Sequence, residues 1–394
     1  MVVDGRIEPG TPAYRRACLA LVAASLVVFA NLYALHPLLP LIARHYQVST
    51  LQAGNAFTIT SLTLGLSLLV HGPLSDAFGR KGPLLIGLAS TVGLSLGMAF
   101  TTDFNSLLMF RASLGIALGV LPAVAIAYLG DSMTRPALVA AVGLYIGGNT
   151  LGGAGGRLLG GFIGDHFGLQ AVFFALGIFS LVGLALVAWL LPRAVAFKPQ
   201  PWSLTGSLRG FIAHLSNPRL LPAFALGGLN FMIFINLYTY LTFRLSDAPW
   251  DLGSSSLGLL FLTYLAGTLS AGLSGKVHFS RILPMMAGGV ILLACGTLML
   301  LSSYLGVIIG GLLCNSFGFF LTHSLTNTWI NQKADFGKAS ASSMYSIFYY
   351  LGAAAGIYYL NFFWQLAGWV AVVVSSLLIL LINLSLILYL ARRS

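Results

Sequence analysis

The sequence predicts an all-α membrane protein: twelve transmembrane helices in two pseudo-symmetric six-helix bundles. Three observations lead there. Of 394 residues, 58% are hydrophobic and only 7% are charged, too little polar surface for a water-soluble globule. Apolar runs long enough to cross about 30 Å of hydrocarbon recur from end to end. The chain also matches itself when it is slid along by 200 positions.

The first six runs lie near 17–42, 52–75, 82–100, 106–130, 137–163 and 171–191. The second six lie near 220–243, 257–275, 283–302, 304–330, 340–363 and 369–390. We number them spans one to twelve. The expected domains are a tail (1–16), an N-terminal bundle (17–192), a linker (193–219) and a C-terminal bundle with a short tail (220–394). The tail carries no apolar core of a signal peptide, so span one is expected to be retained. The linker holds four bases, no acid and three prolines after residue 192. It reads as an interfacial segment with a short helix near 203–216.

Basic residues set the orientation. With the N-terminus inside, the inner segments hold 16 of the 20 Lys and Arg residues, from Arg6, Arg15 and Arg16 to Arg392 and Arg393. Only Arg44 and Arg244 fall outside, and Arg111 and Arg157 lie within spans. The positive-inside rule therefore places both termini in the cytoplasm. The net charge of +11 is a topology signal beside anionic lipid and needs no nucleic-acid partner. Cys18, Cys295 and Cys314 are scattered through apolar helices without metal-ligand spacing, so neither metal nor cofactor is expected.

The 200-residue shift pairs Tyr145 with Tyr345, Gly152 with Gly352, Gly156 with Gly356 and Gly168 with Gly368. A shift of 205 lays Asn31-Leu32-Tyr33 on Asn236-Leu237-Tyr238. Two such halves, related about an axis along the membrane normal, point to a transporter with a central cavity.

Between spans two and three the chain reads GPLSDAFGRKG, residues 72–82. Gly72, Pro73 and Gly79 permit a tight reversal. Asp76 can meet Arg80 or the positive N-terminal end of span eleven, and Asp131 offers Arg80 a second acceptor. Lys81 completes the charged turn. Such contacts, when partly buried, bias two conformations of similar energy. The corresponding segment after span eight, AGLSGKVHFSR, has Gly275 where Asp76 would stand. Only the N-terminal half is then expected to carry the latch.

No Asp or Glu lies inside any span, so intramembrane charge rests on bases. Arg111 either controls a nearby proton or substrate charge or snorkels to the headgroups. Arg157 is the second intramembrane cation. His323, well inside span ten, is the titratable candidate for a proton, or else a hydrogen-bonding partner for a neighbouring helix. Span five holds ten glycines between 143 and 164, with four-residue spacing that strips one face for close helix approach. Gly93-Leu94-Ser95-Leu96-Gly97 has the G-x-S-x-G pattern of hydrolases but sits mid-span, so no enzyme is read from it.

The cavity candidates are mixed aromatics and amides, which suit neutral or amphipathic organic ligands. They are Asn31 and Tyr33 in span one, and Tyr145 and Asn149 in span five. Span seven adds Asn230, Phe234, Asn236 and Tyr238, span ten Asn315 and Asn327, and span eleven Tyr345 and Tyr349.

The turn, through Gly72, Leu74, Asp76, Gly79, Arg80 and Lys81, resembles the signature of major facilitator superfamily transporters. Leu107, Arg111 and Gly115 resemble that family's fourth-helix motif. Gly148-Asn149-Thr150-Leu151-Gly152-Gly153 resembles the antiporter motif of drug:proton exporters, with Asn149 in the proline slot. RASLG (111–115), GLYIGGN, GRLLGG and His323-Ser324 are similar to the YnfM-like branch. The resemblance implies a bacterial inner-membrane exporter of small organic compounds, drugs or sugars, driven by protons through alternating access, and a monomer is expected. An anion or metabolite transporter using Arg111 and Arg157 is the alternative, and a non-transporting sensor or pore the second.

Overall fold

The computed structural model describes residues 6–194, 197, 199, 212, 214–334 and 338–393. It is helical nearly throughout, because a chain in hydrocarbon must satisfy its backbone groups within each segment. Among the described residues, ten helices are long and apolar enough to span a bilayer. Two of them, Arg135–Leu190 and Lys338–Arg393, have 56 residues each and contain two spans apiece. The count of twelve follows. The helix expected near 203–216 lies mostly outside the described residues.

Each long helix breaks at a glycine with positive φ, Gly168 at +83° and Gly368 at +65°. These two are partners under the 200-residue shift. A residue with a Cβ is strained in that conformation, so the repeat preserves the corners as well as the spans.

The breaks in spans one and four lie beside prolines, and the one in span eight does not. Span one runs as Pro12–Tyr33, a 3-10 turn His36–Leu38, and Leu39–Tyr46, since Pro37 has no amide to continue the ladder. Span four divides at Gly119, ahead of Pro122, into Phe104–Leu118 and Val120–Ser132. Span eight is Ser254–Leu260, a 3-10 turn, then Tyr264–Ser274. Pro73, by contrast, sits within the helix Thr50–Phe78. The tail adds one element: Ile7 lies parallel to Met133 and donates its amide to the Ser132 carbonyl at 2.8 Å.

The chain forms two compact units. The first comprises 1–48, 59–204 and 253–258, and the second 49–58, 205–252 and 259–394. Compared with the expected bundles, the first turns of spans two and eight change sides. Glycine allows it. Gly54 leaves room for Ile357, where a Cβ would come within 2.7 Å of Cδ1, and Gly161 lies against the Ser254 carbonyl.

Within the first unit, span five packs on span one through Gly148, Gly152 and Gly156. A Cβ on Gly156 would stand 2.5 Å from the Ala30 Cα. Within the second unit, span eleven packs on span seven through Gly352 against Gly228 and Gly356 against Met232. Lipid gives helices no hydrophobic reason to associate, so close backbone packing is a main source of cohesion. The duplicated glycines serve the same contact in both halves.

Candidate functional site

The charged turn folds as a hub around Arg80. Gly79, with φ at +98°, reverses the chain after span two and returns Arg80 toward its own helix. The guanidinium donates through Nε to Asp131 Oδ2 at 2.8 Å. Its Nη1 donates to Ser75 Oγ at 2.9 Å and Asp76 Oδ1 at 2.5 Å. The Phe197 ring lies 5.3 Å away. Lys81 donates to the Ala188 and Leu191 carbonyls at 3.0 and 2.6 Å, fastening the turn to the end of span six.

The shorter ion pair is the more exposed one. The Asp76 side chain is 47% exposed and that of Asp131 28%, against 10% for Arg80. Solvent screening weakens the Asp76 contact, so Asp131 holds the hub more firmly despite the longer distance. Gly72 differs from expectation. It sits inside the helix, a Cβ there would meet open space, and the reversal falls to Gly79 alone.

Arg111 is fully buried in span four. Its Nη1 and Nη2 donate to the Asn31 and Leu32 carbonyls at 3.1 and 3.4 Å. Those carbonyls end the first helix of span one, where a cation meets the negative end of the helix dipole. Thr60 Oγ1 donates to the Arg111 carbonyl at 2.9 Å and fixes the helix that bears it. Arg157, 2% exposed, donates to the Gly153 carbonyl at 3.2 Å. Its guanidinium lies 4.0 Å from the Tyr33 ring centre, and its Nη2 is 3.5 Å from His36 Nδ1. His36 is buried beside it, although its place near a span end gave no such sign in the sequence.

A second cluster occupies the other unit. Tyr345 Oη and His323 Nδ1 are 2.7 Å apart, joining spans eleven and ten. Around them run stacked rings: Phe231 on Tyr349 at 3.6 Å, and Phe234 on Phe319 at 3.9 Å. Phe319 also lies 5.8 Å from His323. Phe231 and Phe319 escaped the sequence reading because an apolar ring in a hydrophobic span carries no distinguishing signal. Tyr238 Oη bonds Thr263 Oγ1 and Ser316 Oγ at 2.7 and 2.9 Å, and Asn230 Nδ2 reaches the Phe319 carbonyl at 3.5 Å.

Several amides expected to line a cavity are instead spent on packing. Asn31 donates to Ser180 Oγ at 2.9 Å and accepts from Ser95 Oγ at 2.7 Å, tying spans one, three and six. Asn236 donates to the Met232 and Ala353 carbonyls, both at 2.9 Å. Asn315 turns to span nine, toward the Leu293 carbonyl and Thr297 Oγ1, both at 3.1 Å. An amide in hydrocarbon takes the nearest helix as its partner, and helical spacing cannot reveal which helix that is. Asn327 accepts from Asn331 Nδ2 at 3.1 Å. Tyr145 is buried one turn from Asn149, whose amide oxygen has no partner among the described residues.

One contact was absent from the sequence reading. Asp165 Oδ1 and Oδ2 accept the amides of Ser254 and Ser255 at 3.0 and 3.1 Å, capping the start of span eight. Asp165 stands at the end of span five, three spans on from the Arg80 turn, so the two contacts lie on opposite faces of the membrane.

Residues 21–357 match the Major Facilitator Superfamily. The chain is 35% identical over 372 residues to the inner membrane transport protein YnfM of Escherichia coli, covering 92% of this chain and 87% of that protein. It is 32% identical over 390 residues to the uncharacterized MFS-type transporter YybF of Bacillus subtilis, covering 98% and 96%. Among solved structures, the human organic anion transporter MFSD10 superposes with a TM-score of 0.74 at 19% identity, covering 95% and 99%. The chain therefore belongs to the Major Facilitator Superfamily and is a multi-pass membrane transporter, not an enzyme.

Proposed function

We propose that this transporter is a proton-coupled exporter of small organic compounds, drug-like or sugar, working by alternating access. In this reading the protein is a monomer in a bacterial inner membrane with both termini in the cytoplasm. The observation that carries it is Arg80 held between Asp76 and Asp131 at one end of the first unit. An ionic hub at partial exposure contributes about 1 kcal/mol, enough to favour one of two states of similar energy without locking it. The proton falls to His323, since no carboxylate lies inside the twelve apolar runs of the sequence and the imidazole is hydrogen-bonded to Tyr345. Bacterial relatives such as YnfM support the setting.

The test is reconstitution into liposomes with an imposed pH gradient, screening dyes, sugars and organic anions together. Movement of a dye or sugar against the proton gradient is expected. Equal movement with the gradient collapsed by an ionophore would sink the coupling.

A second reading, transport of an organic anion or metabolite, is favoured by Arg111 and Arg157. Both are buried, in the apolar runs 106–130 and 137–163, which hold no acid. A guanidinium fork suits a carboxylate or phosphate. MFSD10, alike in fold, is described as an organic anion transporter. In the same liposomes, an acidic solute outcompeting cationic dyes would select this reading.

A further inference from the structure

The turn between spans eight and nine is the counterpart of the Arg80 turn, and it is built differently. In the first half every base of the turn has an internal acceptor: Asp76 and Asp131 for Arg80, two carbonyls for Lys81. In the second half Gly275 replaces the aspartate, while Lys276, His278 and Arg281 remain. The Lys276 and Arg281 side chains are exposed and make no hydrogen bond or ion pair among the described residues.

Between them lies an open pocket of about 520 Å³, lined by Lys276, Val277, His278, Ser280, Arg281 and Met285. His278 Nδ1 is 3.0 Å from Ser280 Oγ, which holds that ring at the rim. Met285 belongs to the first turn of span nine and is 39% exposed. The pocket thus joins two cations and hydroxyl and imidazole groups to an apolar wall at the start of a membrane helix. A phosphodiester carrying acyl chains matches both parts: its phosphate meets Lys276 and Arg281, and its chains continue along span nine.

We propose that this pocket binds the headgroup of an anionic phospholipid, which supplies the negative charge that Asp76 and Asp131 supply in the other half. The site is independent of the transported substrate. It makes lipid part of the turn on that side.

The test uses the purified full-length protein in phosphatidylcholine nanodiscs with spin-labelled phosphatidylglycerol as the probe, read by electron paramagnetic resonance. Wild type is expected to immobilise phosphatidylglycerol in preference to phosphatidylcholine. Lys276→Gln and Arg281→Gln should each weaken that preference about fivefold, and the pair more strongly. Arg392→Gln, on the same face outside the pocket, should leave it unchanged. An unaltered preference in the double variant overturns the proposal, as does an equal loss in Arg392→Gln, which marks diffuse attraction. Full displacement by inorganic phosphate at millimolar concentration overturns the lipid assignment in favour of a soluble anion. Thermal unfolding in pure phosphatidylcholine checks that the variants fold, and the single variants are read if the double does not.

Discussion

Asp165, in the last helical turn before the Gly168 corner, accepts the amide of Ser254 at 3.0 Å, although 89 residues separate them in the chain. The same carboxylate takes the amide of Ser255. Gly253 makes the approach possible, since a Cβ there would stand 2.7 Å from Asp165 Oδ2. Gly258 lies close to the Arg157 carbonyl, at 2.9 Å for a built Cβ. A cap of this kind contributes about 1 kcal/mol. It holds the first turn of span eight in the first unit, on the face opposite the Arg80 hub.

Asp165→Ala is expected to speed hydrogen exchange of the amides at 254–258 about fivefold, leaving spans one to four unchanged. Gly253→Ala should act in the same direction by displacing the carboxylate. Protection as in wild type in both variants would show that the cap bears no load.

Loss of either acceptor should weaken the Arg80 hub unequally. Asp131→Asn is expected to lower transport more than Asp76→Asn, because Asp131 is the less exposed partner. The double variant should cost about as much as Arg80→Gln, since all three changes remove one shared interaction. Equal effects of the two single variants, or strict additivity, would count against a hub.

His323→Ala should abolish the dependence of transport on the pH gradient while leaving the protein folded. Tyr345→Phe removes one hydrogen bond to the imidazole, worth about 1 kcal/mol. It should slow transport and keep gradient dependence. A His323→Ala protein with full proton dependence would assign the proton elsewhere.

Gly156→Leu and Gly352→Leu should each fail to insert stably, because the partner backbone occupies the added volume. Gly143→Leu is the control, with nothing within 4 Å of a built Cβ. Thermal unfolding in detergent separates them. A control that unfolds as readily as the other two would remove close packing as the reason for these glycines.

The spans, their number and the duplication were legible in the sequence, because hydrocarbon leaves the backbone few choices and apolar runs must match its thickness. The Asp76–Arg80 pair was legible too, since an i, i+4 relation is local. The shift paired Gly168 with Gly368, and the structure made a corner of each. What only the tertiary structure decided is which side chain meets which helix. It gave Arg111 to the end of the first helix of span one, turned Asn315 toward span nine, stacked Phe231 on Tyr349 and Phe319 on Phe234, and brought Asp165 to Ser254. A polar group in a bilayer takes whatever partner lies nearest in space. Helical periodicity fixes the direction of a side chain on its own helix, and the helix it faces is set by the packing of all the others.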